Sequence, residues 1–347
     1  MNWLDGLKEL LMLNLLPLIV GFAVTAVLGP VFIPWLHKLK FGQEIREEGP
    51  KWHQKKSGTP TMGGIMFMAG IGAAVLAAVI VSAVKGNVDS FFIKGCLLPY
   101  LIALGFGLIG FVDDYIKVVK KRNLGLTAIQ KFALQLALAV IYIAAVYLLG
   151  ELKTDIYIPF VRNTVELPVW LYIPFVLFVM VGVVNAVNLT DGLDGLAASV
   201  TAVAALFMSL AAYLVFGSAG LSVFAAAILG GMIGFLLFNK YPAKVFMGDT
   251  GSLFLGAAVA LMAIDLKIEI YLILIGFIYF AETFSVIIQT TYFKYTKKKY
   301  GEGRRVFKMT PIHHHFEMCG WSEKKIVAVF SIVTAVLCAV SWFGMNV

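Results

Sequence analysis

Long apolar stretches of about twenty residues, separated by short polar segments, run along the whole chain. At a rise of about 1.5 Å per residue, a helix of this length crosses the roughly 30 Å hydrocarbon core of a bilayer. Lipid offers no hydrogen-bond partners to the backbone, and the chain lacks the alternating ten-residue pattern of a transmembrane barrel. The pattern therefore predicts an all-α polytopic membrane protein.

Ten apolar stretches can be marked, which predicts about ten transmembrane helices in a single integral membrane domain spanning residues 1–347. The eighth stretch is short unless residues 246–248 also lie at the membrane boundary. The predicted spans are 14–36, 61–84, 91–112, 128–149, 168–187, 193–216, 221–238, 252–264, 268–292 and 326–347.

Basic residues are distributed unequally between the two sides that ten spans define. All but six of the 28 Lys and Arg residues fall in segments that follow odd-numbered spans; the exceptions are Lys8, Lys85, Lys94, Lys153, Arg162 and Lys267. Basic segments normally stay in the cytoplasm. We therefore expect both termini outside and the basic segments on the cytoplasmic face, and one missed span would have mixed the two groups.

The composition agrees with this topology. Hydrophobic residues make up 60% of the chain and charged residues 14%, against roughly half and a quarter in soluble domains. The net charge of +8 favours segments that face anionic lipid and an anionic substrate over a role in binding nucleic acid. Three cysteines without a CxxC pair indicate neither a disulfide framework nor a thiolate metal site.

Three acidic motifs lie at the predicted cytoplasmic ends of spans. Asp113 and Asp114 end the third span, one helical turn before Lys117. Carboxylates at membrane depth are costly and usually functional, although these two could simply stop the helix and pair with Lys117 and Lys121.

The second motif follows the fifth span, where Asn188, Asp191 and Asp194 are spaced three apart among glycines. This spacing indicates one helical face or a tight turn with converging oxygens, although either aspartate could cap the sixth helix instead. The third motif is Asp249, which lies between glycines just before the eighth span. The N-terminus of a helix can bind phosphate, although Asp249 could instead serve only as the N-cap of the helix.

All three motifs are predicted on the same basic side of the membrane. Hard oxygen ligands favour Mg²⁺, which typically bridges one or two protein carboxylates to substrate phosphates. The sequence therefore predicts a carboxylate-rich, magnesium-dependent phosphate site in the cytoplasmic segments.

Two further segments are candidates for binding phosphate. Lys56 and Thr61 lie in a glycine-containing segment that could meet a nucleotide, although its lysines could simply obey the positive-inside rule. Residues 313–315 are consecutive histidines. Consecutive side chains on a helix point about 100° apart, so three adjacent histidines cannot share one helical face. We therefore predict that they lie in a loop and that their side chains point in at least two directions. Zinc is an alternative, but no spacing completes four ligands.

Five segments together resemble one enzyme family, the phospho-N-acetylmuramoyl-pentapeptide transferases. They are KKSGTPTMGG (55–64), FVDDYIKV (111–118), NAVNLTDGLDGLA (185–197), FMGDTGS (246–252) and PIHHHFE (311–317). The wider superfamily of polyprenyl-phosphate sugar-1-phosphate transferases shares the second and third, whereas the first and last are typical of this branch.

The resemblance implies transfer of phospho-MurNAc-pentapeptide from UDP-MurNAc-pentapeptide to undecaprenyl phosphate, which forms lipid I and UMP in peptidoglycan synthesis. It implies Mg²⁺ as cofactor, a multi-pass location in the bacterial cytoplasmic membrane, and membrane lipid and a homodimer as partners. Direct attack by the lipid phosphate and a two-step route through a covalent intermediate both remain open.

The resemblance also implies roles for individual residues. Asp249 would bind the metal, and Asp113 and Asp114 would act at the lipid phosphate, with Lys117 and His313 completing the catalytic set. The substrate-binding residues would be Lys56, Thr61, Lys121, Lys131, Asn188, Asp191, Asp194, Asn239, Phe246, Gln289, His313, His314 and His315.

Two other functions would fit part of the pattern. A sibling enzyme that uses UDP-GlcNAc would share the aspartates but differ in the histidine segment. An ion-coupled transporter would place its charges near the bilayer midplane, whereas here they cluster at one boundary, with Asp265 and Glu282 as the main exceptions.

Overall fold

The computed structural model describes residues 3–38, 56, 58–84, 86, 90–119 and 125–345, and these are mostly helical. Within this part, nine helices are long and apolar enough to cross a membrane, and a bent helix pair makes a tenth candidate. The helices are α1 (Trp3–Lys38), α2 (Gly64–Val84), α3 (Ser90–Val119), α4 (Ala128–Leu148), α5 (Val169–Thr190), α6 (Leu196–Leu214), α7 (Ala219–Asn239), α8 (Gly248–Asp265), α9 (Leu272–Ile275), α10 (Phe277–Tyr300), α11 (Ile312–Met318) and α12 (Glu323–Gly344). The prediction of about ten spans is confirmed.

The ninth predicted span is not one helix. A 3₁₀ turn and α9 are separated from α10 by a bend of 85° at Gly276. A Cβ built on Gly276 would lie 2.9 Å from the carbonyl oxygen of Leu272, so a side chain would not fit easily at this bend. Helix α10 also continues past the predicted boundary at residue 292 and ends at Tyr300. The next residue, Gly301, has a φ of 81°, which suits a glycine terminator.

A small β-hairpin departs from the all-α prediction. Strands β1 (Asp155–Ile158) and β2 (Asn163–Glu166) pair antiparallel, with Asp155 opposite Glu166. The backbone N–H of Tyr157 donates to the carbonyl of Lys267 at 2.8 Å, which attaches the hairpin to the segment after α8. Strands of four residues are too short to give a clear alternating pattern, so the sequence did not reveal them.

Helix α8 is the central helix of the fold. Residues 250–264 of this helix are all buried, and α3, α5 and α2 pack around it. The helix begins at Gly248, so of residues 246–248 only Gly248 belongs to the helix of the eighth span.

Glycines bring backbones into contact at the first turn of α8. A Cβ built on Gly110 of α3 would lie 2.0 Å from the carbonyl oxygen of Asp249. A Cβ on Gly64 of α2 would lie 2.4 Å from the Cα of Gly251. Small residues allow such close approach of membrane helices. The main chain around Asp249 is therefore fixed from two sides.

The segment directly before α2 packs against the segment that precedes α8. Phe246 donates its N–H to the carbonyl of Pro60 at 2.8 Å and accepts from Gly63 at 2.9 Å. Gly64 then donates to Met247 at 3.0 Å. These three backbone hydrogen bonds bring two of the sequence motifs together.

We expect Gly110→Ala to be strongly disruptive, because its methyl group would collide with backbone that cannot rotate away. Overpacking of this kind typically costs about 1–3 kcal/mol, which would lower the midpoint of thermal denaturation in detergent. Gly182→Ala in α5 is the matched control, because a Cβ there meets nothing within 4 Å. Equal midpoints for the two variants would contradict the tight contact between α3 and α8.

Candidate active site

Three aspartates from two helices converge at one end of the bundle. One carboxylate oxygen from each of Asp113, Asp114 and Asp249 lies within 4.8 Å of the others. Asp113 and Asp114 are almost completely buried near the end of α3, whereas Asp249, in the first turn of α8, is partly exposed. The predicted convergence of these two motifs is therefore confirmed.

Two lysines offset the charge of this aspartate cluster. The Nζ of Lys117 lies 2.6 Å from Oδ2 of Asp113 and 3.0 Å from Oδ2 of Asp249. Lys131, from the first turn of α4, contacts Asp249 and lies 3.3 Å from Asp113. Helix α3 continues to Val119, so the aspartates do not stop the helix. Lys121 lies outside the described residues.

Asp113 and Asp114 are held in different ways. Oδ2 of Asp114 accepts hydrogen bonds from the backbone N–H of Thr250 at 2.9 Å and from its hydroxyl at 2.7 Å. Oδ1 of Asp113 accepts the backbone N–H of Leu126 at 2.7 Å, while its Oδ2 faces the lysines. Asp114 therefore braces α3 against α8, and Asp113 presents an oxygen to the centre of the cluster.

Asn188 connects α5 to the same cluster. Its side-chain amide donates to Oδ1 of Asp249 at 2.9 Å and to the hydroxyl of Ser252 at 2.8 Å. Asn188 thus occupies one oxygen of Asp249 and leaves the other to Lys117 and Lys131.

The turn between α5 and α6 carries the other two residues of that motif. Helix α6 begins after Gly195, which has a φ of 77°, and no side chain caps it, so the capping alternative is not what the structure shows. Asp194 accepts from Lys56 at 2.7 Å and from the backbone N–H of Ala243 at 2.9 Å. Withdrawal from water, together with the negative charges of Asp249 and Asp114, raises the pKa of Asp191 well above its ordinary value.

Lys56 connects the segment before α2 to the α5–α6 turn and to the start of α12. Its Nζ lies 2.7 Å from Asp194 and 2.6 Å from Glu323 at the start of α12. Burial opposes the charge on Lys56, but the hydrogen bonds to these two carboxylates outweigh it and raise the pKa of the ammonium group. Sequence reasoning missed Glu323, because no local pattern distinguishes it from an ordinary first-turn acid.

Thr61 and Phe246 lie beside the first turn of α8. A Cβ built on Gly248 would be 2.7 Å from the hydroxyl oxygen of Thr61 and 2.5 Å from Oδ2 of Asp114. Gly248 has a φ of 72°, so both space and backbone conformation require glycine here. Phe246 is half-buried two residues before it.

The three histidines lie on a short helix, α11, and not in the loop that the sequence predicted. Pro311 precedes its first turn, where a missing N–H is tolerated. The predicted divergence of the side chains is confirmed. His313 faces Glu282, His314 lies 2.7 Å from Glu317, and Nδ1 of His315 accepts the backbone N–H of Lys308 at 3.1 Å.

The amides of Asn239 and Gln289 hold backbone. Asn239 accepts from Gly195 at 3.1 Å and donates to Val245 at 3.0 Å. Gln289 accepts from the N–H groups of residues 306 and 307 and donates to the carbonyl of residue 307. Both side chains shape the segments around the site, and direct contact with substrate remains a prediction.

The aspartate cluster could hold a divalent metal ion. Its donors are carboxylate oxygens, and hard cations prefer oxygen ligands. Three carboxylates beside two ammonium groups carry a small net negative charge, which suits a cation that is shared with an anionic ligand. The chemistry of the donor set therefore fits a hard divalent ion.

Comparison with known proteins gives consistent matches. Residues 96–267 match the model of glycosyl transferase family 4, and residues 56–68 match phospho-N-acetylmuramoyl-pentapeptide-transferase signature 1. A phospho-N-acetylmuramoyl-pentapeptide-transferase of Clostridium botulinum is 48% identical over 98% of this chain and 99% of its own length. Proteins with the same name from Clostridium beijerinckii and Halalkalibacterium halodurans are each 49% identical; they cover 95% and 91% of this chain, and 96% and 92% of their own lengths.

The Thr250 hydroxyl is a testable part of the site. Thr250→Val leaves Asp114 with one donor fewer in a buried position, which typically costs about 1–3 kcal/mol. We expect a lower denaturation midpoint in detergent and lower turnover, because α8 loses part of its brace. Thr250→Ser retains the hydroxyl and serves as the control. If the valine and serine variants behave alike, the hydroxyl is not part of the brace.

Proposed function

Because the chain belongs to the phospho-N-acetylmuramoyl-pentapeptide-transferase family, we propose that it transfers phospho-MurNAc-pentapeptide from UDP-MurNAc-pentapeptide to undecaprenyl phosphate. The products are lipid I and UMP, in peptidoglycan synthesis. The observation that carries this proposal is the convergence of Asp113, Asp114 and Asp249 with two lysines at one end of a membrane bundle.

Mg²⁺ is the proposed cofactor, with Asp249 as ligand and with Asp113 and Asp114 close by. A bound Mg²⁺ would stabilise negative charge on the diphosphate. Asp249 suits this role because it is the partly exposed member of the cluster and can therefore face a substrate.

The protein side chains have a clear electrostatic task. Both substrates are anionic, so an in-line displacement at the β-phosphate requires compensation of charge. Lys117 and Lys131 already lie among the carboxylates and can turn to phosphate oxygens. Asp113 orients or deprotonates the lipid phosphate, whose oxygen then bonds to the β-phosphorus as the bond to UMP breaks. A two-step route would form a covalent intermediate first.

The nucleotide is proposed to lie across the segments that surround the cluster. Lys56, Thr61 and Phe246 belong to the docked segments that precede α2 and α8. The other proposed substrate contacts are Lys121, Asn188, Asp191, Asp194, Asn239, Gln289, His313, His314 and His315. In this arrangement Lys56 exchanges a carboxylate partner for a phosphate oxygen.

The chain is a multi-pass protein of the bacterial membrane. We propose that it is one transferase domain, that the site faces the cytoplasm and that both termini lie outside. The distribution of basic residues supports this orientation. A homodimer is the proposed assembly, and membrane lipid rather than nucleic acid is the proposed surrounding partner.

Turnover tests the proposed reaction directly. Purified protein with UDP-MurNAc-pentapeptide, undecaprenyl phosphate and Mg²⁺ should release UMP, and EDTA should stop the release until Mg²⁺ is restored. Asp249→Asn and Asp113→Asn should each lower kcat by at least about 100-fold while the protein stays folded. Asp155→Asn in the hairpin is the control. Near-normal turnover in either site variant would remove its assigned role, and preferred turnover of UDP-GlcNAc would point to the sibling activity.

Thiol labelling tests the orientation. Cys96 and Cys338 are buried, whereas Cys319, next to α11, is exposed. In intact cells a membrane-impermeant maleimide should leave Cys319 unmodified until the membrane is permeabilised. A cysteine placed at the exposed hairpin position, Val161→Cys, should react in intact cells. The reverse pattern would place the site outside.

A further inference from the structure

One face of α10 carries a row of buried polar side chains at seven-residue spacing. Glu282, Gln289 and Thr296 are all less than a tenth exposed. Seven residues make about two helical turns, so these side chains lie on the same face. We name this row the polar ladder.

Each member of the polar ladder accepts backbone N–H groups from the chain that returns after α10. Thr296 accepts from Arg304 at 2.8 Å. Gln289 accepts from residues 306 and 307 at 2.9 and 3.0 Å. Glu282 accepts from His313 at 3.3 Å. The returning segment therefore runs antiparallel to α10 and is fastened at three levels.

Glu282 does more than fasten backbone. The carboxylate oxygen that accepts the N–H of His313 also lies 3.0 Å from Nδ1 of its imidazole ring. Glu282 is fully buried and His313 is 1% exposed. A buried carboxylate in a membrane helix is expensive, and a neutral side chain such as glutamine could accept the same backbone N–H. The carboxylate is therefore best explained by the imidazole.

The other edge of the imidazole points toward the turn between α5 and α6. A Cβ built on Gly192 would lie 2.2 Å from Nε2 of His313, and Gly192 follows Asp191 directly. Among the described residues neither ring nitrogen makes a hydrogen bond, but Nδ1 lies 3.0 Å from the Glu282 carboxylate, whereas Nε2 has no such charged neighbour. With Nδ1 facing a carboxylate, Nε2 is the remaining polar atom of the ring, and a partner at one nitrogen fixes the orientation of the other.

We propose that Glu282 is a positioning residue, which holds the imidazole of His313 so that Nε2 meets a phosphate oxygen of the nucleotide substrate beside the α5–α6 turn. The identity of that phosphate rests on the proposed function. The contact between Glu282 and His313, and the direction of the ring, stand on the structure alone.

A double-mutant cycle on the purified full chain tests this proposal. Glu282→Leu should lower kcat for UMP release by about 10–100-fold, the usual effect of removing a residue that orients a functional histidine. Glu282→Gln should recover part of the loss, because its amide oxygen can still lie against Nδ1 and accept the backbone N–H of His313. In a His313→Gln background, Glu282→Leu should cause no further loss, because its effect passes through the imidazole.

Thr296→Val is the matched control, because it removes a member of the polar ladder that touches no histidine in the described structure. It should lower the denaturation midpoint but leave kcat unchanged. Full additivity of Glu282→Leu and His313→Gln would overturn the proposal, since it would show a separate effect on the helix. Wild-type turnover in His313→Gln would also overturn it, while leaving the assigned reaction intact.

A measurement without substrate separates this proposal from the reaction. Carbethoxylation of His313 by diethyl pyrocarbonate, followed by peptide mass spectrometry, should be several-fold faster in Glu282→Leu than in the wild type, because the ring leaves its packed position. Thr296→Val should react at the wild-type rate. Equal rates in Glu282→Leu and the wild type would overturn the positioning role, whether or not the protein releases UMP. A failure to release UMP would by itself refute only the assigned reaction.

Discussion

Three carboxylates held within 4.8 Å of one another repel each other, and the rest of the structure around them compensates for that repulsion. Lys117 and Lys131 supply positive charge, while Asn188 donates a hydrogen bond to Asp249. Lys117, Lys131 and Asn188 belong to α3, α4 and α5, so the ends of these three helices must meet at the start of α8, which carries Asp249. Gly110 allows α3 to approach α8 closely enough for this. Electrostatic compensation and glycine packing are thus two aspects of one requirement.

Several side chains of the site also hold its framework together. Asp114 is occupied by Thr250, and Asn239 and Gln289 are occupied by backbone groups. The two main exceptions to the clustering at one boundary, Asp265 and Glu282, also have partners. Asp265 accepts from Tyr142 at the far end of α8, and Glu282 contacts His313. Neither acid belongs to a continuous chain of carboxylates across the described part of the bundle. This arrangement argues against an ion pathway.

Sequence reasoning succeeded where a local pattern reports a long-range constraint. Apolar length predicted the spans, and the unequal distribution of lysine and arginine suggested that the acidic motifs would meet. It failed where tertiary contact decides the outcome. The 85° bend at Gly276 and the four-residue strands leave little trace in hydropathy. The pairing of Lys56 with Glu323 joins residues 267 positions apart, and no pattern within either segment could reveal it.

The polar ladder has a consequence for how this part of the chain can vary. Its acceptors bind main-chain N–H groups, which every residue except proline possesses. The segment from residue 304 to 307 therefore keeps its register whatever side chains it carries. We expect related proteins to differ freely in the chemistry displayed by this segment while its path is preserved. Proline at residues 304, 306 or 307 is the change that the arrangement excludes, because it would remove a donor from the ladder.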